Sequence, residues 1–496
     1  MPSVSASTVP TSYAAITHRE PMRPSTLPIL GAMLTRYSDP LFDTRIIRVT
    51  DARLEGNNIF PNVPISGSNG NGRFYTTPAA SERAAWSAGA GSAGTGYLRF
   101  YVQSQNGINH IFRLNTTNFT LSREPKSSNN PGDGTNMHLS GMSGESQWSY
   151  INPDLIYGAQ GAVIKNYNFA TDIYTPLKDL STYMGTNWPT GPNPDYGTYM
   201  GYVAASDKLT NGNERILFLF GAGNQDYHYL TGVAEAQNWN STMRIFDSRR
   251  MQIGTPTAMT DLPNSALSQF DNPNWGTLQA SVAASGAVTL SVQNFSASGF
   301  NWPKTGVVLI GQERMRYSKN SETSLTVAAA DRGAFGTLTA MHSSGDAITL
   351  TGCDMHTPFI SRDGRYVLLV RAYRNNRGGS AYQNIIWDVS TDTFTRMSDP
   401  SAYSGHVSLG FNQFINENSC TGADPLQWQI RSLSAPNGGG TCLVQPESYG
   451  GNQSGTVISN YDVGEHTSWA NNKKQGEPSR SYRAPIGITD CKEHMI

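Results

Sequence analysis

The sequence predicts an all-β protein, a β-propeller of six or seven four-stranded blades, with seven the preferred number. Two observations predict this fold. Charged residues make up only 15% of the chain, while 49 glycines and an aromatic share of 10% favour strands and turns over helices. A unit of strand, polar turn and strand also returns along the chain, and repetition of such units is typical of propellers.

The repeated unit is a hairpin whose turn carries Asn, Asp, Ser or Thr between alternating apolar positions. Four copies occur, at residues 108–124, 162–179, 241–257 and 383–399. Another strand pair precedes most copies, and it is clearest at 355–373, where an Asp363-Gly364 turn separates the two strands. Two pairs make one four-stranded unit. The alternative interpretation is a β-sandwich or β-helix in which hairpins recur by coincidence.

These units define the expected domain organisation. They are assigned to residues 81–124, 144–180, 199–257, 355–399 and 404–445, with a last unit from 464. Prolines and dense Ser and Thr predict an N-terminal arm over residues 1–35. The propeller would then occupy 36–261 and 353–496, its ring closed by the N-terminal strand at 42–52, and the different rhythm of 262–352 predicts an inserted small β domain.

Two stretches resemble known sequence patterns. SRDGRYVLL, from Ser361, is similar to the PD40/TolB-like propeller repeat. The second half of the insert resembles a small module of bacteriophage tail and virion proteins. The matching elements are Ile310-Gly311, Glu313, Tyr317, Leu325 to Val327, Asp331-Arg332-Gly333, Gly336-Thr337, His342 and Gly345-Asp346-Ala347.

Charge and hydropathy restrict the partners and the location. The chain has 36 Lys and Arg against 37 Asp and Glu, a net charge of −1 without a long basic run, so nucleic acid is not an expected partner. No apolar run approaches the roughly 20 residues that span a bilayer, so no membrane insertion is expected. The N-terminus lacks the pattern of a Sec signal. We therefore expect a virion-associated or released extracellular protein, and otherwise a cytoplasmic one.

Histidine is scarce, with 9 residues, and four lie at or near the start of a unit: His138, His356, His406 and His466. Equivalent positions of different blades converge around a propeller's central channel. His356, His406 and His466 are therefore candidate ligands of a divalent metal. His406 and His466 are also candidate general bases. The alternative role is a structural hydrogen bond between blades.

This histidine pattern is similar in kind to that of the oligogalacturonate lyases and other propeller polysaccharide lyases. The resemblance implies removal of a proton beside a uronate carboxylate, with a cation that neutralises the carboxylate. Arg371 is the candidate catalytic arginine, and Arg83, Arg374 and Arg377 are further candidates to contact the substrate. Tyr382 is the candidate proton donor, with Tyr461 as an alternative. The inserted region and the irregular C-terminus depart from that family. Each arginine has the alternative role of a solvated surface charge.

Tryptophans offer a second kind of glycan contact. Trp188 lies in a Pro- and Gly-rich loop and is the candidate that stacks on a sugar ring. Trp86, Trp148 and Trp469 occupy similar places near strand starts, which favours packing between blades.

Three functions are consistent with these features. The first is a binding or structural propeller that contacts a polysaccharide or cell-surface glycan, as part of a phage virion or tail together with other virion proteins. The second is a polysaccharide lyase that acts on uronic-acid-containing polymers by β-elimination. The third is a protein-interaction scaffold. The first is preferred, because of the phage-like module and the absence of a Sec signal.

Overall fold

The computed structural model describes residues 34–38, 45–49, 77–78, 86–103, 109–131, 137–180, 200–221, 228–271, 276–293, 302, 305–352, 354–355, 358–374, 380–397, 408–417 and 428–444. These residues form an all-β protein. Strands and turns dominate, and helix is limited to single turns at Trp239–Thr242, Asn264–Leu267, Gly91–Ala93, Ser268–Phe270, Ala329–Asp331 and Ala334–Gly336.

Five antiparallel sheets, numbered here in chain order, follow one another in the described part of the chain. Sheet 1 contains β3 (Thr77–Pro78), β4 (Tyr97–Gln103), β5 (Asn109–Asn115) and β6 (Thr120–Arg123). Sheet 2 contains β7 (Ser143–Trp148), β8 (Leu155–Gln160), β9 (Val163–Asn168) and β10 (Ile173–Asp179). Before them, β1 (Arg36–Ser38) and β2 (Arg45–Ile47) form a two-stranded hairpin.

Sheet 3 is larger than the four strands that the sequence predicts. It contains β11 (Met200–Lys208), β12 (Glu214–Gly221), β13 (His228–Glu235), β14 (Arg244–Asp247), β15 (Gln252–Thr255) and β16 (Ala258–Asp261). β16 follows the predicted hairpin β14–β15 and extends the sheet. Ile253 of β15 and Leu262, just after β16, are buried beside Phe246 and Phe270, which extends the core at the outer edge of this sheet.

Sheets 4 and 5 complete the series in the described residues. Sheet 4 contains β23 (Asp354–Met355), β24 (Phe359–Ile360), β25 (Tyr366–Arg374), β26 (Ser380–Asp388) and β27 (Thr393–Arg396), with both β23 and β24 paired to β25. Sheet 5 contains β28 (Ser408–Leu409), β29 (Gln413–Glu417), β30 (Trp428–Ser432) and β31 (Thr441–Val444).

Successive sheets pack face to face, because the central strands carry apolar side chains on both of their faces. In β12, Ile216, Phe218 and Phe220 pack with residues of sheet 2, while Leu217 and Leu219 pack with residues of sheet 4. Other strands show the same division between two cores. Inner strands of neighbouring sheets also touch, β7 against β11, β11 against β24 and β24 against β28. This packing in chain order supports a β-propeller.

The hairpins that the repeat predicts are confirmed as β5–β6, β9–β10, β14–β15 and β26–β27. One turn closes all four. The last residue of the first strand is Asn115, Asn168, Asp247 or Asp388, and its side chain accepts a hydrogen bond from the backbone N–H two residues later. A residue with positive φ follows in each, namely Phe119, Asp172, Met251 and Asp392, at φ of 54° to 57°.

A second repeated turn connects the inner two strands of sheets 1 to 4. Each begins with a serine, namely Ser87, Ser149, Ser206 and Ser361, whose hydroxyl accepts a backbone N–H within the same turn or across the hairpin. Sheet 5 has the corresponding turn at 410–413. We call the end of the sheets that carries these turns the turn end. The opposite end, where β11 and β28 begin and β12 and β25 end, is the loop end.

The described residues between 276 and 352, which are 276–293, 302 and 305–352, form a separate sheet with its own core. Its strands are β17 (Gly276–Thr277), β18 (Val288–Ser291), β19 (Thr305–Ile310), β20 (Glu313–Ser321), β21 (Ser324–Val327) and β22 (Ala347–Thr351), in the order β17-β22-β19-β20-β21-β18. Hydrogen bonds from Gln279 N to Ser291 O and from Gln293 N to Thr277 O join the two edges, so the sheet closes into a small barrel. Asp271 bridges to Thr351, which places the two chain connections of the barrel side by side.

The strand expected to close the ring has a different described partner. β2, which lies within 42–52, pairs with β1. Ile47 and Val49 of this hairpin region pack against Phe100 and Phe112 of sheet 1. The predicted closing partner in the C-terminal unit lies outside the described residues.

Candidate functional site

The predicted site residues fall mainly outside the described residues. His356, His406, His466, Trp188 and Arg377 are among those not described, as are Arg83, Tyr461 and Trp469. Within the residues that the structure describes, no group of three or more His, Cys, Asp or Glu side chains is arranged to hold a metal. The metal site at His356, His406 and His466 therefore stays a prediction.

Three predicted residues have described backbone positions in sheet 4. Arg371 pairs with Met355 on one side and with Gln383 on the other. Tyr382 pairs with Ala372, and Arg374 pairs with Ser380. All three lie on the last residues of β25 or the first residues of β26, so their backbone positions are at the loop end.

The residues that flank other predicted positions also lie at the loop end. β10 ends at Asp179 and β11 begins at Met200, on either side of Trp188 in the chain. Arg374 and Ser380 flank Arg377, and Ser408 follows His406 by two residues. Strand direction thus brings the described neighbours of these predicted residues to one end of the series of sheets.

His138 contacts His110, a residue that was not predicted as its neighbour. It forms an isolated β-bridge with His110 of β5, and the two rings meet edge to face with centroids 5.9 Å apart. Burial, with a smaller contribution from His138, lowers the pKa of His110 to about 4. His110 is therefore neutral near pH 7, and it is buried within sheet 1.

Trp148 and Trp86, two of the tryptophans predicted to pack between blades, differ in their burial. Trp148 is fully buried and stacks on Phe169 at 5.4 Å, which confirms its expected packing role. Trp86 packs on Phe100 with ring centroids 4.7 Å apart, but 37% of it remains exposed. Packing accounts for only part of the Trp86 surface.

Equivalent positions of different sheets do converge, but at the turn end and with different residues. Tyr150, Asp207 and Arg362 each follow the serine of the inner turn in sheets 2, 3 and 4. Arg362 Nη2 lies 2.6 Å from Asp207 Oδ1, Arg362 Nε lies 2.9 Å from Oδ2, and the guanidinium lies 4.7 Å from the Tyr150 ring centre. We call these three residues the axial cluster.

A second buried acid sits beside the axial cluster. Glu214 is fully buried, and its carboxylate accepts hydrogen bonds from Ser149 Oγ at 2.7 Å, Tyr150 N at 2.6 Å and Tyr157 Oη at 2.9 Å. Burial raises the pKa of Glu214, although these hydrogen bonds oppose the rise. Burial likewise raises the pKa of Asp207 against the opposing effect of Arg362.

Sheets 1 and 2 are joined at the same end by Arg99. Its guanidinium lies 2.7 Å from Asp154 Oδ1 and 3.1 Å from Glu124 Oε2, and it is almost completely buried. Asp154 also accepts hydrogen bonds from Ser92 N and Oγ. Loss of either partner of such a pair would leave the other charge buried without a counter-charge, so these pairs require the two sheets to stay packed. The turn end is thus a structural end in the described residues.

The barrel contains a compact charge cluster formed by three residues of the phage-like pattern. Glu313 accepts hydrogen bonds from Arg332 Nε at 2.6 Å and Nη2 at 2.9 Å, and its Oε2 lies 2.8 Å from His342 Nε2. All three side chains are buried. Burial alone would raise the pKa of Glu313, but hydrogen bonds from Arg332, Ala340, His342 and Gly333 together lower it to about 2.

The axial cluster and Glu214 were not predicted from the sequence. A signal was present, because a tyrosine, an aspartate and an arginine follow the serine of three successive turns. Their pairing across sheets was not deducible from spacing, since Asp207 and Arg362 lie 155 positions apart.

No family model matches the chain, and no curated protein matches it. Among solved structures, an oligogalacturonate lyase from Vibrio parahaemolyticus has 6% identity and a TM-score of 0.21, over 80% of this chain and 96% of that chain. The polysaccharide lyase Uly1 has 10% identity and a TM-score of 0.26, over 72% of this chain and 80% of that chain. The propeller domain of the Trilobed protease from Pyrococcus furiosus has 9% identity and a TM-score of 0.17, over 68% and 92%.

Similarities this low do not establish a function. The all-β architecture of this chain rests on its own sheets and contacts. Among the described residues there is no helix of the length and apolarity needed to cross a membrane.

Proposed function

We propose that this protein is a β-propeller that contacts a polysaccharide or cell-surface glycan through its loop end. One observation carries the proposal: strand direction brings the backbone positions of Arg371, Arg374 and Tyr382 to the loop end, as well as the described neighbours of Trp188, Arg377 and His406. Loops at one end of a rigid set of sheets are where binding residues concentrate. The turn end is occupied by buried charge pairs.

The proposed contacts follow from the chemistry of acidic sugars. Arginine binds a carboxylate through two parallel hydrogen bonds, and a tryptophan ring stacks on the apolar face of a pyranose. Arg374 and Arg377 would hold uronate carboxylates, and Trp188 would support a sugar ring. The proposal includes a place in a phage particle with other virion proteins, which rests on the sequence pattern of residues 310–347 alone.

A binding screen with matched variants tests this proposal. The full chain is titrated with pectic, ulvan-like, alginate and bacterial capsular polysaccharides. Arg374→Ala and Arg377→Ala should each weaken binding by about tenfold or more, because a charge-assisted hydrogen bond is lost. Arg365→Ala removes an exposed arginine of the turn end and should leave binding unchanged. If no polymer binds to folded protein, the scaffold function becomes the better account.

A lyase is the second candidate, and it rests on the backbone positions of Arg371 and Tyr382, which both lie at the loop end of sheet 4. Met355, which precedes His356 in the chain, pairs with Arg371, and Tyr382 lies on the next strand opposite Ala372. In the proposed reaction a histidine, His406 or His466, removes the C5 proton of a uronate while Arg371 neutralises the uronate carboxylate. A divalent metal held by His356, His406 and His466 would supply further positive charge to that carboxylate. The C4–oxygen bond breaks, a C4=C5 double bond forms, and Tyr382 protonates the leaving oxygen.

The lyase reaction has its own readout. Cleavage would produce an unsaturated uronide, which absorbs in the ultraviolet. A rise in absorbance that His406→Ala abolishes would establish a lyase, and loss of the rise with a chelator would establish that it depends on a metal. Binding without any rise in absorbance on the same polymer would leave a binding protein.

A further inference from the structure

The barrel is joined to sheet 3 by one row of residues that crosses three barrel strands. Arg316 of β20, Val307 of β19 and Thr351 of β22 lie directly opposite one another in the register, so they share one face of the barrel sheet. Val307 is fully buried in the core of sheets 3 and 4, whereas Val308 and Ile310 of the same strand belong to the barrel core. We call Arg316, Val307 and Thr351 the docking row.

Polar contacts hold both ends of the docking row. Arg316 forms an ion pair with Asp261, the last residue of β16. At the other end, Thr351 Oγ1 donates to Asp271 Oδ1 at 2.9 Å, and Arg314 Nη2 lies 2.9 Å from Asp271 Oδ2. Contacts on both sides of the apolar contact fix the orientation of the barrel relative to sheet 3.

The chain connections place the docked barrel at the loop end. β13 begins at this end, and Leu230 near its start pairs with Asp247, so the β14–β15 turn that follows Asp247 lies at the loop end as well. Gly352, directly after β22, packs against that turn. At its φ of 89°, a Cβ would approach Ser248 O to 2.2 Å. The chain therefore leaves the barrel in close contact with the loop end.

The same connection brings the barrel next to a proposed glycan contact. β23 begins at Asp354, three residues after Thr351, so the Cα atoms of these two residues are at most about 11 Å apart. Met355 of β23 pairs directly with Arg371. The barrel and the loop end of sheet 4 are thus adjacent, and ligand sites occur preferentially where two such bodies meet.

We propose that the docked barrel forms one side of the glycan surface at the loop end, next to Arg371. This inference rests on the function proposed above and adds a second contact region, the barrel surface beside Thr351. Because the docking row fixes the barrel before binding, the polysaccharide gains this contact without a further cost of ordering. An acidic polymer chain that reaches Arg371 then touches both the end of sheet 4 and the barrel.

A charge reversal at Asp261 tests whether docking matters for binding. Asp261 is exposed and outside both cores, so Asp261→Arg should fold while the new side chain repels Arg316 across the docking row. The dissociation constant of a polysaccharide that binds the unchanged chain should rise by about threefold or more. The added positive charge alone would favour an acidic polymer, so weaker binding reports the displaced barrel. Asp261→Arg with Arg316→Asp restores opposite charges and should recover the affinity.

Glu322→Arg is the matched control. Glu322 pairs with Lys319 on the barrel outside the docking row, so the same change of charge there should not weaken binding. Thermal melting confirms that each variant is folded, and Asp261→Ala with Arg316→Ala replaces any variant that is not. Unchanged affinity in Asp261→Arg, a loss that the charge-swapped variant does not recover, or an equal loss in Glu322→Arg would overturn the proposal.

Hydrogen exchange with bound polysaccharide separates this inference from the function on which it rests. Exchange should slow in peptides that cover 345–352 as well as 371–374, and it should stay unchanged at 324–327 in β21, three strands away from β22 in the barrel sheet. Protection of 371–374 without 345–352 would overturn the barrel contact and leave the glycan function intact. If no polysaccharide binds, the glycan function itself fails, and the barrel contact fails with it.

Discussion

Arg362 of sheet 4 and Asp207 of sheet 3 form a buried bidentate ion pair, with Nη2 2.6 Å from Oδ1 and Nε 2.9 Å from Oδ2. The backbones beside them are also joined, since Asp207 N donates to Arg362 O at 2.8 Å and Arg362 N donates to Gly410 O of the sheet 5 turn. One residue thus connects three successive sheets near the inner strands. Loss of this pair should weaken the packing of the whole series.

Asp207→Ala should therefore lower the free energy of unfolding by about 3–5 kcal/mol, because it leaves Arg362 buried without a counter-charge. Urea denaturation of the full chain measures the change. Arg365→Ala is the matched control. Arg365 pairs with Asp388 at 2.8 Å, but its side chain is half exposed, so the urea midpoint should hardly move. Equal changes in the urea midpoint for Asp207→Ala and Arg365→Ala would show that burial does not make the Asp207–Arg362 pair more important for stability than an exposed pair.

Replacement of both partners should be milder than removal of one. In Asp207→Leu with Arg362→Met, no charge is left buried alone, so a large part of the stability should return. Urea denaturation of the double variant beside Asp207→Ala measures this recovery. A double variant as unstable as Asp207→Ala would indicate that the backbone hydrogen bonds at this site require the two charged side chains.

Acid should destabilise sheet 1 through His110. An unfolded histidine has a pKa of about 6.5, whereas the pKa of folded His110 is lowered to about 4. The unfolded state binds the proton more readily between these values. The contribution of His110 to the free energy of unfolding is therefore fully present well above pH 6.5 and is lost as pH decreases toward 4. The loss from this residue is about 3 kcal/mol.

His110→Gln isolates that contribution. Its free energy of unfolding, measured by urea at pH 7, 6, 5 and 4.5, should fall less steeply than that of the unchanged chain. Carboxylates titrate equally in both proteins, so the difference between the two curves reports His110. Parallel curves would mean that His110 keeps its ordinary pKa in the folded protein.

Glu313 should be the residue whose loss most disturbs the barrel. Glu313→Gln cannot pair with the charge of Arg332, which is buried, so the barrel should lose about 3 kcal/mol of stability. Hydrogen exchange, followed peptide by peptide, should show faster exchange in residues 305–351 and little change in sheets 2 and 3. Glu322→Gln is the control, because Glu322 pairs with Lys319 at a partly exposed position. Uniform acceleration in all sheets would contradict a separate barrel core.

Local patterns predicted much of the fold. The Asn and Asp turns, such as those at Asn168 and Asp388, and the Ser361-Asp363 turn depend on neighbouring residues only, so they could be recognised in the sequence. The last strand of sheet 3, β16, could not, because its place depends on the core around Phe270, which comes later in the chain. Closure of the barrel between Thr277 and Gln293 likewise depends on a long-range pairing without a local signal.

Less of the candidate site than of the fold could be predicted from the sequence. Equivalent positions of different sheets do converge at Tyr150, Asp207 and Arg362. The prediction instead rested on the scarce histidines. Spacing alone does not say which turn position faces the inner side of the sheets. His138, the one described residue of the histidine set, lies beside His110 instead.

Hydrogen exchange of the full chain with and without a bound polysaccharide tests the central claim most directly. Binding at the loop end predicts slower exchange in peptides that cover 371–374, 380–383 and 200–203, with unchanged exchange in the turns at 149–155, 208–214 and 361–366. Protection confined to those turns, or to the barrel, would contradict the claim that the loop end contacts the glycan.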